Sequence, residues 1–142
     1  MGKRILVDTG FWFALYDSRD RYHETALSLA EYLNPHRLII PWPSLYETLN
    51  TRFVRRKNWL RSFEAAIHRD NVILFPDGSY RESALMDVFS NDVQQGKPYS
   101  LVDLILREML SDKAIRIDAM ITFNFSDFLD ICAKRNIALF DG

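Results

Sequence analysis

The 142-residue chain contains a single cysteine, Cys132. One thiol rules out a disulfide framework and a cysteine-rich zinc site, and it fits a reducing cytosol. Acidic and basic residues nearly cancel, at a formal net charge of -1, which excludes a generally basic nucleic-acid coat while leaving room for a local basic patch. No apolar stretch approaches the roughly 20 residues needed to cross a bilayer. The start lacks the cationic-then-apolar order of a signal peptide. Leu6 stands where a myristoylation motif wants Ser or Thr. Neither Gly-x-Gly-x-x-Gly nor a phosphate-loop sequence occurs, which weakens any nucleotide-cofactor reading. Repeats, low-complexity tracts and linkers are missing too. The length suits one domain of the usual roughly 100–200 residues, long enough to bury a core without staples. The expectation is a single cytoplasmic domain.

What the chain does have is a series of short apolar runs: Ile5-Val7, Leu38-Ile40, Val72-Phe75, Ala119-Thr122 and Ile137-Phe140. Runs of this kind read as strands buried on both faces of a parallel sheet. Helical patterns lie between them. His23 to Tyr32 places Ala26, Leu29, Ala30 and Leu33 at helical spacing, and Asn34-Pro35 stops it. Pro43 opens a helix from Ser44 to about Arg55. Asn58 caps one from Trp59 to His68, and Asp77-Gly78-Ser79 precedes one from Tyr80 to Gln94. Gly96-Lys97-Pro98 breaks that helix. Ser100 caps the next, to about Lys113, and Asn124 or Ser126 begins the last, to about Arg135. Strands alternating with helices predict an α/β domain, a three-layer α/β/α sandwich around a parallel sheet of about five strands.

Asp8 ends the first run and is followed by Thr9-Gly10. Ligands of parallel sheets collect at the carboxyl ends of the strands. A carboxylate beside a core strand is costly unless it is paired or holds a metal, so Asp8 is either a helix cap or the first ligand of a metal site. Two further acids fall where element ends should converge. Glu47 is expected in the first turn of the Pro43-Ser44 helix, amid Trp42, Leu45, Tyr46 and Leu49. Asp103 is expected in the first turn of the Ser100 helix, amid Leu101, Val102, Leu104 and Ile105. Each alone could simply complement a helix dipole. Buried together, the three would repel one another unless a cation intervened. Oxygen ligands without His or Cys favour Mg2+ or Mn2+ over zinc, and such sites hydrolyse phosphodiesters.

The run from Ile5 through Asp8-Thr9-Gly10-Phe11-Trp12 to Leu15, followed by Asp20, Tyr22, His23 and Ala26, resembles the opening of the PIN-domain family. Pro43-Ser44-Leu45-Tyr46-Glu47-Thr48-Leu49-Asn50, Ser100-Leu101-Val102-Asp103, and Ile121-Thr122-Phe123-Asn124 with Asp127-Phe128 resemble its later motifs, in order and across nearly the whole chain. The resemblance implies a Mg2+- or Mn2+-dependent ribonuclease, often the toxin (VapC-like) half of a toxin–antitoxin pair. It implies Asp8, Glu47 and Asp103 as metal ligands, Thr9 as a hydroxyl donor behind them, and Ser100 and Asn50 beside them. Asn124 stands where an aspartate is frequent, with Asp127 three residues on. Asn can bond a metal-bound water but adds no charge. One firm metal site and a weaker second one, completed by substrate phosphate, are therefore implied.

Other features carry two readings each. Asp8-Thr9-Gly10 also matches the aspartic-protease signature, but those enzymes are all-β. Arg52, Arg55, Arg56, Lys57 and Arg61, interleaved with Phe53 and Trp59, could track an RNA backbone and stack a base, or could be a solvated helix end. His23 could be a general base or a packed histidine. Asp118 should bind neighbouring backbone or a cation. Leu85, Met86 and Phe89 are expected in the core, or in part at the face of a homodimer. Cys132 should be buried and inert. RNA and a cognate antitoxin are the expected partners. A non-cleaving RNA-binding or scaffold domain and a nuclease outside any toxin system are the alternatives.

Overall fold

A computed structural model describes residues 2–90 and 97–140. Five parallel strands form one sheet: β1 (Arg4–Val7), β2 (Arg37–Pro41), β3 (Val72–Phe75), β4 (Ala119–Ile121) and β5 (Ala138–Phe140), in the order β3-β2-β1-β4-β5. β1 is the middle strand. Its three apolar residues are fully buried and alternate between two cores, as a period of two requires. Ile5 and Val7 face Phe11, Trp12, Phe53 and Phe63 on one side. Leu6 faces Leu106, Met109, Met120 and Phe128 on the other. Helices α1 (Thr9–Tyr16), α2 (His23–Leu33), α3 (Trp42–Thr48), α4 (Thr51–Val54) and α5 (Lys57–Ile67) pack on the first face. Helices α6 (Arg81–Phe89), α7 (Leu101–Ser111) and α8 (Phe125–Arg135) cover the second. The layers are the expected α/β/α sandwich. No helix among the described residues is long and apolar enough to cross a membrane.

All five strands fall where the apolar runs predict them, and the helices differ in instructive ways. α1 has no counterpart in the sequence reading. Gly10, Phe11, Trp12, Phe13, Ala14 and Leu15 leave it apolar all round, so no 3.6-residue alternation marks it. The single helix expected from Ser44 to Arg55 is two. Thr48 Oγ1 back-bonds to the Ser44 carbonyl at 2.7 Å, and extended Asn50 caps α4 by accepting from Phe53 N at 3.0 Å. α5 starts at Lys57 rather than Trp59, with no side-chain cap from Asn58. α6 ends at Phe89 with Ser90 extended; the expected continuation to Gln94, and Gly96, lie outside the described residues. Leu85, Met86 and Phe89 are not core: they are 48%, 73% and 77% exposed, and Ala84 is the residue that faces inward.

Candidate active site

The carboxyl ends of β1, β2 and β4 open on one side of the sheet, where the strand order turns back on itself and crevices form. Asp8 sits at the end of β1 and serves both jobs proposed for it. Its backbone extends the sheet, with the amide donating to the Ile121 carbonyl at 3.0 Å. Its side chain caps α1, Oδ1 accepting from Thr9 N at 2.8 Å, while Oδ2 accepts from Thr122 Oγ1 at 2.8 Å. Only 5% of it is exposed. Burial, together with the charges of Asp103 and Glu47, outweighs these hydrogen bonds and pushes its pKa up to about 6.

Glu47 lies in the last turn of the seven-residue α3, not the first. The helix starts at Trp42 and is short because of the break at Thr48–Asn50. Its position is the rim, open to solvent, and Thr9 Oγ1 donates to its Oε1 at 2.9 Å. Desolvation of the carboxylate raises its pKa, and the charge of Asp103 adds to that. Asp103 is in the first turn of α7, as expected, but partly exposed rather than engulfed by its apolar neighbours. It forms a capping box with Ser100: Asp103 N donates to Ser100 Oγ at 3.1 Å, and Ser100 N donates to Asp103 Oδ2 at 3.4 Å. Its pKa is raised by desolvation, with the charge of Asp127 contributing.

The three acids share a cleft of about 610 Å³. Thr9, Asn50, Ser100 and Asn124 line it with them, so seven of the sequence-derived site residues come together. Asn50 is held by its own bond to the Glu47 carbonyl, 3.0 Å from Nδ2. Among the described residues no cation pairs with Asp8, Glu47 or Asp103. No three of the described His, Cys, Asp and Glu side chains already surround one ion position. Three neighbouring carboxylates, all held with raised proton affinity and none ion-paired among the described residues, with Arg107 acting on Asp103 only at longer range, fit a hard divalent cation.

Asp127 does not line the cleft; it pairs with Lys97 at 3.1 Å. Arg52, Arg55 and Arg56 also lie outside the cleft lining. Arg52 bonds Asp17 at 3.2 Å, and Arg52 and Arg56 both lie over the Trp59 ring. Phe53 is fully buried and cannot stack a base, whereas half-buried Trp59 keeps an open edge. His23 is a packed histidine, Nδ1 meeting the Ala14 carbonyl at 2.7 Å, which makes Nδ1 the protonated nitrogen. Asp118 accepts from Arg4 N at 2.9 Å and pairs with Arg116. Burial pushes the Cys132 thiol up to about 11. The residue whose role the sequence reading missed is Thr122, fully buried and bonded to both Asp8 and Asn124 N. Its signal was the strand register: Val7 pairs with Ile121, which sets Asp8 opposite Thr122.

A PIN-like α/β/α sandwich with an acidic cleft at the strand ends is thus the class defined by fold and site. Among solved structures, the chain is similar to VapC20 of Mycobacterium tuberculosis, described as a toxin that cleaves the sarcin-ricin loop. The TM-score is 0.66 at 26% identity, over 89% of this chain and 94% of that one. No family model and no curated protein matches the chain. The resemblance to the PIN-domain, VapC-like family that the motifs carry therefore holds in three dimensions.

Proposed function

We propose that the chain is a Mg2+- or Mn2+-dependent endoribonuclease, the toxin component of a toxin–antitoxin pair. The observation that carries this reading is the convergence of Asp8, Glu47 and Asp103 on one cleft without a protein cation among the described residues to neutralise them. The likeness to a toxin described as cleaving the sarcin-ricin loop supports RNA as the substrate. Asp8, Glu47 and Asp103 would hold Mg2+ or Mn2+, which would supply Lewis-acid chemistry for hydrolysis of a phosphodiester. Thr122 and the Thr9 amide fix the two Asp8 oxygens, and Thr9 Oγ1 orients Glu47. The capping box fixes Asp103. This pre-set geometry avoids reorganisation cost at the moment of reaction. Asn50, Ser100 and Asn124 offer hydrogen bonds to the strand, Asn124 without adding repulsion. Asp127, outside the cleft lining, would act through its ion pair with Lys97, and Arg52, Arg55 and Arg56 would attract the RNA backbone from outside the cleft.

A metal-titrated cleavage assay on a pool of structured RNAs tests this. Wild type is expected to cleave with Mn2+ or Mg2+ and not with chelator, and Asp103→Asn to be at least about 100-fold slower. Equal cleavage by Asp103→Asn would sink the site. RNA binding without cleavage would instead select a non-cleaving RNA-binding domain, which the neutral Asn124 favours.

The partners belong to the same proposal. A cognate antitoxin would inhibit by covering the acidic cleft, and a neighbouring short reading frame encoding a DNA-binding protein would support it. The exposed face of Leu85, Met86 and Phe89 suits a second copy of the chain. Sedimentation should show a dimer for wild type and a monomer for Phe89→Asp; a monomeric wild type would remove this part.

A further inference from the structure

Among the described residues, the fourth side of the cleft offers no unpaired carboxylate. Position 124 is a neutral Asn, and Asp127 is engaged by Lys97, whose Nζ lies 3.1 Å from Oδ1. The same ammonium donates to the Ser126 carbonyl and stands 5.6 Å from the centre of the Tyr99 ring. An ammonium carries three N–H groups. Two are accounted for here, and the side chain remains 37% exposed, so its head is fixed without being sealed. Tyr99 is gripped from a second direction by Arg107, 4.5 Å from the ring centre. It leads directly into Ser100, which lines the cleft. Asp127 in turn is close enough to Asp103 for its charge to raise that carboxyl's pKa, against the opposing charge of Arg107. Lys97 is thus held by Ser126 and Asp127, just after Asn124 in sequence, and stands three positions before Ser100; Asn124 and Ser100 both line the cleft, so a positioned cation borders it.

Charge balance gives that cation a task. Three carboxylates outweigh one divalent ion, so a cleft holding a single ion still repels an RNA phosphate. A second ion would need a carboxylate on the fourth side, and Asp127 is taken. Resting on the ribonuclease reading above, we infer that Lys97 receives a backbone phosphate of the RNA strand at the fourth side of the cleft, in the role a second divalent ion would otherwise fill. Asp127 is then the residue that positions Lys97 rather than a metal ligand. A surface ion pair with no such task would contribute little to stability and nothing to RNA affinity.

The test measures binding of a short single-stranded RNA by anisotropy across a salt series, with Ca2+ in place of the catalytic ion, for wild type, Lys97→Ala and Lys97→Arg. Mn2+ bound per chain is counted separately by calorimetry without RNA. Lys97→Ala is expected to bind about 10-fold more weakly, with the salt slope reduced by about one, and Lys97→Arg to recover most of both. Wild type should take up one Mn2+. Unchanged affinity and slope in Lys97→Ala, or two Mn2+ in wild type, would overturn the inference while leaving cleavage by wild type intact. A wild type that neither binds nor cleaves RNA would instead remove the ribonuclease reading and this inference with it. A merely structural ion pair would leave both the RNA affinity and the salt slope of Lys97→Ala at the wild-type values.

Discussion

Asp8→Asn is expected to cut RNA cleavage at least about 100-fold and, at the same time, to make the metal-free protein more stable at neutral pH. The two outcomes have one cause. Asp8 is buried against two neighbouring acids, so the folded chain binds its proton more tightly than the unfolded chain does, with a pKa of about 6 against 3.8. The stability this contributes is complete below about 3.8 and is lost as pH rises through about 6. At neutral pH the loss amounts to about 3 kcal/mol. An Asn in the same rotamer keeps the bond from Thr9 N to its oxygen and carries no charge to desolvate; its amide would have to donate to Thr122 Oγ1, which reverses that bond and offsets part of the gain. Glu47 and Asp103 shift in the same direction and lose a neighbour's repulsion in the variant. Asp130, held down to about 2 by Arg107, acts only below pH 4 and is common to both proteins.

Thermal melts from pH 4 to 8 without metal should therefore start together and diverge, the variant ending on the order of 5–10 °C higher. Added Mn2+ should raise the wild-type melting temperature by binding the folded state, and the variant's much less. A variant that is less stable than wild type at pH 8, or that gains as much from Mn2+, would remove Asp8 from the metal site. Function and stability oppose each other at this one atom group.

Phe53→Ala should cost about 3–5 kcal/mol, a large share of a marginal total. Phe53 is fully buried at the junction of four aromatic rings, with centroid separations of 5.8 Å to Phe13, 6.0 Å to Tyr16, 5.6 Å to Trp59 and 5.7 Å to Phe63. Those rings come from α1 and α5, so truncation opens a cavity between two helices that cannot close by a local shift. α4 has only four residues and little stability of its own; Phe53 is what fastens it, and with it the Asn50 cap and Arg52. The variant should therefore lose cleavage through misplacement of Asn50 as well as lose stability. Urea denaturation with Arg55→Ala alongside gives the contrast, since an exposed arginine should change stability by less than about 0.5 kcal/mol. A Phe53→Ala cost below 1 kcal/mol would mean that α4 is held by something else.

The sheet was readable because each strand is a short apolar run buried on both faces, bounded by polar or turn residues. Ile5, Leu6 and Val7 show why alternation was absent: two cores claim successive residues. The same physics hid α1, which is apolar on every side. Leu85, Met86 and Phe89 misled for the complementary reason, because an apolar stripe looks alike whether its cover is the chain's own core or lies outside it. The acids Asp8, Glu47 and Asp103 could be picked out because they interrupt apolar context at element ends. Glu47 was placed at the wrong end of its helix since the break at Thr48–Asn50 depends on back-bonding that spacing does not reveal. Thr122 carries meaning only through the register of β1 against β4.

The position of β1 in the middle of the sheet has a consequence for when the cleft comes into being. The hydroxyl that fixes the second Asp8 oxygen lies 114 positions later in the chain, in Thr122, and the amide of Asp8 is anchored to Ile121. The Thr9 contact to Glu47 closes across only 38 positions. A growing polypeptide that has emerged through α5 can thus assemble the β1–β2–β3 half with Asp8 and Glu47 on it, but has neither Asp103 nor Thr122. The cleft is complete only when β4 lies beside β1. On the ribonuclease reading, a partial chain that lacks α7 and β4 carries two of the three acids and no complete site.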